Sequence, residues 1–271
     1  MLLQSPFDVL ADTYDSVFTD SLIGRMQRQR VWKQLSGLLR LYDRPLDILE
    51  INCGTGEDAL QLARLGHRVT ATDASAKMIE RARLKAGSAG CDHKQLQFIT
   101  CPFSQLGPQF HEQKFDLVLS NFGGLNCVSA RELFQLSSAL SSLLVTSGRL
   151  FLVLMGDFCL WEMGYFALRA KFKMAFRRQQ HQPVYRANGH DMPVFYHSPK
   201  KLKKCLYPLF SITAISPVGL FIPPSYLEKW FSRHRNWLNK LNKWENNWGY
   251  PVFSSLADHY CIIFNKNELF K

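Results

Sequence analysis

Residues 48–58 read ILEINCGTGED, and the fold turns on this stretch. A short β-branched apolar run gives way to a loop carrying Gly54 and Gly56, and the loop passes into ALQLARLG (59–66), whose apolar residues recur at helical spacing. The order strand, glycine turn, helix is that of a cofactor-holding loop. Gly54-x-Gly56-x-x-Ala59 satisfies the dinucleotide fingerprint, and Asp73 ends a second expected strand, RVTATD (68–73), at the distance of a ribose-binding acid.

Outward from the loop, strands and helices alternate. Strands are expected at 46–51, 68–73, 96–100, 115–120 and 149–154, with amphipathic helices ending near Gly66, near Gly87 and at Ser147-Gly148. Such βα units give a parallel sheet with helices on both faces. Before them, Leu22, Met26, Trp32, Leu35, Leu38, Leu39 and Tyr42 form a rough helical stripe, so residues 1–44 are expected to be helices laid over the main domain as a lid. After residue 154 come a long aromatic and basic helix over 159–178, a hairpin turning at Asn188-Gly189 with VFYH (194–197) in its second strand, and a helix capped by Ser198-Pro199. Strands in 211–222 and 259–265 complete a seven-stranded sheet, with a helix from about Ser225 between them.

The 271 residues, 46% of them hydrophobic, suffice for one large core. Seven scattered cysteines without a C-x-x-C pair argue against a disulfide framework, and neither a structural zinc nor any other metal site is expected. No apolar run approaches a membrane span, and the N-terminus lacks signal-peptide character, so a cytoplasmic chain is expected. Residues 1–150 hold 16 Lys and Arg against 15 Asp and Glu, whereas residues 151–271 hold 17 against 7. The basic second part implies an anionic contact: a small acidic substrate, a lipid surface or nucleic acid.

Two cofactor classes compete for the loop. Glu57 and Asp58 follow Gly56 at the helix start, where a dinucleotide places its diphosphate. Like charges facing across a few ångströms are unfavourable, so a cationic ligand fits better than NAD. Asn52 and Cys53 also lengthen the loop, and Glu50 lies at its root.

ILEINCGTGEDAL, VTATDASAKMIERAR, FDLVLSNFGGLN and GRLFLVL, with YDSVF near the N-terminus, together resemble the class I S-adenosylmethionine-dependent methyltransferases, specifically the small-molecule group similar to the ubiquinone/menaquinone-biosynthesis enzymes. The resemblance spans roughly residues 12–155. It implies an α/β, Rossmann-like, doubly wound and mostly parallel seven-stranded sheet, with S-adenosylmethionine as cofactor. The domain of residues 45–271 then carries a helix-plus-hairpin cap inserted after the fifth strand at about 156–200. Glu50, Asn52, Gly54 and Gly56 would lie along the methionine moiety, Asp73 would hold the ribose, Ala74 and Met78 would border the adenine, and Asn121 and Phe122 would sit beneath the sulfonium. Tyr14 of YDSVF joins this cofactor set. Pro102, flanked by Cys101 and Phe103, stands where the family has an adenine-binding acid, leaving that contact to backbone groups or Phe103.

The acceptor would enter at the carboxyl ends of the strands, a region that includes Asn126, Asp157, Trp161, Glu162 and the hairpin bearing His190 and His197. His197, Asp157 and Glu162 are the candidate catalytic residues, His197 foremost as a base that titrates near neutrality. A small, partly apolar, anionic or lipid-like metabolite is the expected substrate. The segment after the fourth strand reads SNFGG rather than the (N/D)PP(Y/F) of base-methylating enzymes, and Cys101-Pro102 reverses the cytosine-C5 Pro-Cys, so nucleic acid ranks below a small molecule. A catalytically silent S-adenosylmethionine-binding subunit is the alternative from another class, and an RNA methyltransferase the third. In YLEKWFSRHRNWLNKLNKWENNW (226–248), Leu227, Trp230, His234, Trp237, Leu241, Trp244 and Trp248 form a stripe on a basic amphipathic helix. Its tryptophans are expected to pack on the sheet or in a homodimer, or to contact a membrane peripherally.

Overall fold

The computed structural model describes residues 6–92, 94–180, 184–187 and 190–268, so the Asn188-Gly189 turn lies outside the described residues. Five parallel strands, β1 (Asp47–Ile51), β2 (Arg68–Asp73), β3 (Leu96–Thr100), β4 (Phe115–Ser120) and β5 (Leu144–Met155), form most of one sheet. A short antiparallel pair, β6 (Val184–Ala187) and β7 (His190–Pro193), lies outside it. β8 (Phe210–Val218) and β9 (His259–Lys266) return to the sheet, whose order is β3-β2-β1-β4-β5-β9-β8 with β9 antiparallel to both neighbours. The fold is therefore the α/β, Rossmann-like seven-stranded sheet expected from the sequence.

The strand pattern follows from burial on both faces. Ile48, Val69, Leu117 and Val153 point to a core shared with helices Leu22–Leu39, Glu57–Arg64 and Ala76–Ser88. Their neighbours Leu49, Val118, Leu152 and Leu154 point to the opposite core, under helices Ala130–Leu143 and Pro199–Leu206. The strand order reverses between β1 and β4, which opens a crevice at their carboxyl ends.

Four expectations change. The helix expected at 159–178 breaks into Leu160–Ala167, Phe172–Ala175 and Arg177–Gln179, with Ala170 at φ 56°. Buried Glu162 takes both Arg177 and Arg178 as partners; in a straight helix fifteen residues would separate them by roughly 22 Å. The helix expected from Ser225 likewise divides into Glu228–Phe231 and Arg235–Trp248. Both Glu228 oxygens accept from the free N–H groups of Leu22 and Ile23 at the start of the first helix, 2.9 Å each. Residues 194–197 are not strand, and β5 begins at Leu144, so Ser147-Gly148 lies inside a strand rather than ending a helix.

Candidate functional site

The glycine loop adopts left-handed backbone at Asn52 (φ 60°), Gly54 (φ 53°) and Gly56 (φ 77°). A Cβ on Gly56 would lie 2.8 Å from the Phe98 ring and 3.0 Å from the Ala82 methyl, so close packing of β3 and helix Ala76–Ser88 demands glycine there. The N-terminal segment covers the loop. Asp8 accepts from Ser75 Oγ, Asp12 pairs with Arg81, and Asp15 accepts from Thr55 Oγ1 at 2.6 Å and pairs with Lys85 at 2.8 Å. Tyr14 packs over Gly54, and burial pushes its phenol up to about 12.

Among the buried side-chain atoms without a hydrogen-bond partner in the described residues are Glu50 Oε2 and Arg28 Nε, and at the far side of the site His259 Nδ1. Burial first, then the Asp58 and Asp73 charges, push the Glu50 carboxyl well above its usual range, against the Arg28 guanidinium. The lone acceptor and the lone donor match an ammonium and a carboxylate, the two charged ends of an amino acid. The methionine end of S-adenosylmethionine offers both groups. At the end of β2, Asp73 Oδ2 accepts from Gly54 N at 2.9 Å and Oδ1 from Ser75 N at 2.8 Å; each oxygen keeps acceptor capacity for a ribose hydroxyl. Burial raises the Asp73 carboxyl, and these N–H groups oppose that rise. The residues therefore fit the group, with Glu50 and Arg28 for its amino acid end and Asp73 for its ribose.

The acids that follow Gly56 are placed otherwise than the sequence reading supposed. Asp58 is 4% exposed and bound by Arg28, by Trp32 Nε1 at 2.7 Å and by Asn121 Nδ2 at 2.8 Å; Glu57 pairs with Lys85 at 3.3 Å. Neither stands unpaired at the helix start, so discrimination against a diphosphate falls to buried Glu50 at the root of the loop. Asn52 donates to the Asn121 carbonyl at 2.8 Å and accepts from Ser120 Oγ at 2.6 Å, so its amide braces the loops after β1 and β4 against each other. Phe122 (φ 47°) meets Phe18 edge-on at 5.1 Å and His259 at 5.7 Å, with the Arg28 guanidinium 5.0 Å above its ring. Cys101 N donates to the Asp73 carbonyl at 2.9 Å, which brings half-buried Pro102 and Phe103 beside the end of β2. Nearby, Met78 is buried and Ala74 exposed.

Of the three catalytic candidates, two are spent on structure. His197 is 2% exposed; its Nε2 lies 2.9 Å from the Val128 carbonyl, and burial holds its pKa down. Glu162 is equally buried between Arg177 and Arg178. Asp157 remains partly exposed and pairs with Lys201 at 3.0 Å. Asn126 exchanges hydrogen bonds with the Met155 backbone, and Trp161 Nε1 donates to the Phe221 carbonyl.

The sequence reading passed over a different pair. His259 opens β9 opposite Met155, at the carboxyl edge of the parallel strands, and its Nδ1 lies 3.2 Å from Asp258 Oδ2. Asp258 is fixed in turn by Arg178 Nη2 at 2.5 Å and Gln27 Nε2 at 3.2 Å. Burial would raise the Asp258 carboxyl, but His259 and Arg178 outweigh it and hold the group well below its usual range. Among the described residues neither ring nitrogen of His259 has a hydrogen-bond partner, and its ring edge meets Phe122. The visible signal was ADHYC at the mouth of an expected strand, along with Gln27 and Arg28 in the first helix.

Glu50 gives the site a measurable trade-off. Its folded pKa is raised, so its favourable contribution holds below the unfolded value of about 4.3 and is lost as pH rises through the folded one. We expect Glu50→Gln to stabilise the protein at pH 7 by about 1 kcal/mol or more, by removing a carboxyl whose ionised form burial penalises, and to weaken cofactor binding. Urea unfolding at pH 7 and pH 4 checks this, with the gain shrinking at pH 4; destabilisation at both values would contradict it.

Residues 48–148 match the family model described as a methyltransferase domain. Over 114 residues, 42% of this chain, the sequence is 29% identical to tRNA 5-carboxymethoxyuridine methyltransferase of Escherichia coli (strain K12). That match covers 43% of the relative, so the chain spans less than half the length of the curated relatives it matches. Among solved structures, magnesium protoporphyrin IX methyltransferase from Synechocystis PCC 6803 with bound SAH superposes with a TM-score of 0.61 at 18% identity, covering 96% of each chain. The 4+2 cyclase SpnF also reaches 0.61, at 15% identity over 96% of this chain and 93% of its own. At such identities the likeness establishes the fold alone, and the cyclase among these neighbours means that chemistry must be argued from the site. Residues 48–148 thus match a methyltransferase-domain model, set within a seven-stranded sheet of order β3-β2-β1-β4-β5-β9-β8.

Proposed function

We propose that the chain transfers a methyl group from S-adenosylmethionine to a small, partly apolar and anionic metabolite through a protonated oxygen or nitrogen nucleophile. The observation that carries this reading is the pair of unpartnered buried atoms, Glu50 Oε2 and Arg28 Nε, beside Asp73. When bound, the cofactor supplies an already activated methyl group. The protein's task is then to hold the acceptor in line and keep water out. Phe18 and Phe122 give that side of the site apolar walls. His259, with Asp258 Oδ2 3.2 Å from its Nδ1 and Phe122 against its ring edge, is the imidazole at the carboxyl edge of the strands that would take the proton of the acceptor. Exposed Lys200, Lys203 and Lys204, on the helix that follows His197, favour an anionic substrate; Arg177 and Arg178 do not join them, being turned inward to Glu162.

Modification of RNA is the second reading, supported by the 29% identity to a tRNA methyltransferase and by the basic residues 151–271. Incubation of the protein with methyl-tritiated S-adenosylmethionine and, separately, the small-molecule and tRNA fractions of a cell extract tests the two. Label is expected in the small-molecule fraction. Label confined to tRNA would replace the first reading by the second, and label in neither would favour a silent binding subunit.

A further inference from the structure

Buried Leu238, Leu241 and Glu245 face inward from helix Arg235–Trp248, and Trp237, Trp244 and Trp248 are left half in solvent. The tryptophan stripe therefore does not enter the core as expected. Glu245 holds the inward position because its carboxylate accepts from the backbone N–H groups of Gly219, Leu220, Phe221 and Ile222. Beyond the helix, Val252 is 76% exposed, and the turn after Leu160–Ala167 presents Leu168 at 92%, with Phe172 and Phe176 exposed nearby. The two segments form one surface. Trp161 meets Phe231 at 5.9 Å, Phe166 stacks on Tyr226 at 6.4 Å, and Leu160 lines with Trp244 and Trp248 an open groove of about 510 Å3.

The charges on this surface are of one sign. Arg169, Lys171, Lys173, Lys229, Arg233, Lys240 and Lys243 are exposed, and among the described residues none pairs with a carboxylate. Arg169 lies 4.4 Å over the Tyr165 ring and Lys240 5.4 Å over Trp237. Every acid of residues 160–180 and 225–253 is turned inward: Glu162 to Arg177 and Arg178, Glu228 to the start of the first helix, Glu245 to residues 219–222. What remains outside is apolar side chains, indole rings, cations and uncharged polar groups such as Asn236, Asn239, Asn246 and Asn247.

We propose that this surface docks on an anionic phospholipid bilayer. Indole and phenol rings favour the headgroup boundary, lysine and arginine stems lie along apolar surface with their charges in the phosphate layer, and aliphatic tips such as Leu168 and Val252 enter the acyl region. A protein partner fits less well, because the centres of such interfaces are depleted of lysine. Single-stranded nucleic acid would stack on the rings but gives no use to exposed Leu and Val. No helix among the described residues is long and apolar enough to cross a membrane, so the contact lies on the surface. The proposal stands independently of the methyl acceptor.

Flotation of the full chain with phosphatidylglycerol-containing vesicles, against pure phosphatidylcholine vesicles, tests it. We expect binding at least about tenfold stronger to the anionic vesicles, a blue shift of tryptophan emission, and weakening as salt rises. Leu168→Ser with Val252→Ser, two exposed positions whose replacement leaves the core intact, should lower binding about tenfold or more, and so should Lys240→Glu with Lys243→Glu; urea unfolding confirms that the variants fold. No vesicle binding, or binding untouched by both pairs, overturns the proposal. So does a stable dimer that shields these tryptophans from quenchers while vesicles fail to bind, or capture of tRNA in place of vesicles.

Discussion

Asp73→Ala should lower affinity for S-adenosylhomocysteine by two to four orders of magnitude. The carboxylate ends β2 beside the glycine loop, and two ribose hydroxyls losing a charged acceptor amounts to about 1.5–3 kcal/mol each, a tenfold loss for roughly every 1.4 kcal/mol. The same substitution leaves Gly54 N and Ser75 N without their acceptor, so part of the loss would come from a loosened loop. Asp73→Asn separates the two effects, because its carbonyl can still accept one of these bonds while the charge is gone. Calorimetric titration of both variants, with thermal unfolding alongside, checks the prediction. An affinity for Asp73→Ala close to that of the unaltered protein would remove Asp73 from the cofactor site.

His259→Ala should reduce turnover by about two to four orders of magnitude, the usual contribution of a positioned base, and leave cofactor affinity nearly unchanged. His197→Ala should lower stability and leave the turnover of folded protein largely intact, because the buried imidazole is held at the Val128 carbonyl, 2.9 Å from its Nε2, and takes no part in the site. Asp258→Asn is a poor substitute test, since the carboxylate also anchors Arg178 and Gln27 and its loss would disturb a buried ion pair. Near-normal turnover in His259→Ala would leave methyl transfer to proximity alone.

The strands of the sheet were legible because their side chains are buried on both faces, so apolar runs such as DILEI and FDLVLS carry the signal within themselves. Gly54, Gly56 and Asp73 were legible for a similar reason: left-handed backbone and a strand-end acid are local features. What the sequence hid depends on partners far along the chain. Asp58 looks like a free acid at a helix start until Arg28 and Trp32, some 30 residues earlier, are found to hold it. The break after Ala167 exists because Glu162 recruits Arg177 and Arg178, and helical periodicity contains no trace of that choice. The tryptophans stay outside the core although periodicity ranks indoles above a glutamate there, because four backbone N–H groups at 219–222 take the carboxylate of Glu245. Arg28 and Glu50 lie on separate elements, and their shared lack of a partner exists only in three dimensions.

If this crevice holds S-adenosylmethionine through Glu50, Arg28 and Asp73, calorimetric titration of the unaltered protein with S-adenosylhomocysteine and, separately, with NAD shows it. Saturable binding of S-adenosylhomocysteine at one site per chain is expected, with no measurable heat from NAD; tighter binding of NAD, or no binding of S-adenosylhomocysteine, would rule out these roles for Glu50, Arg28 and Asp73.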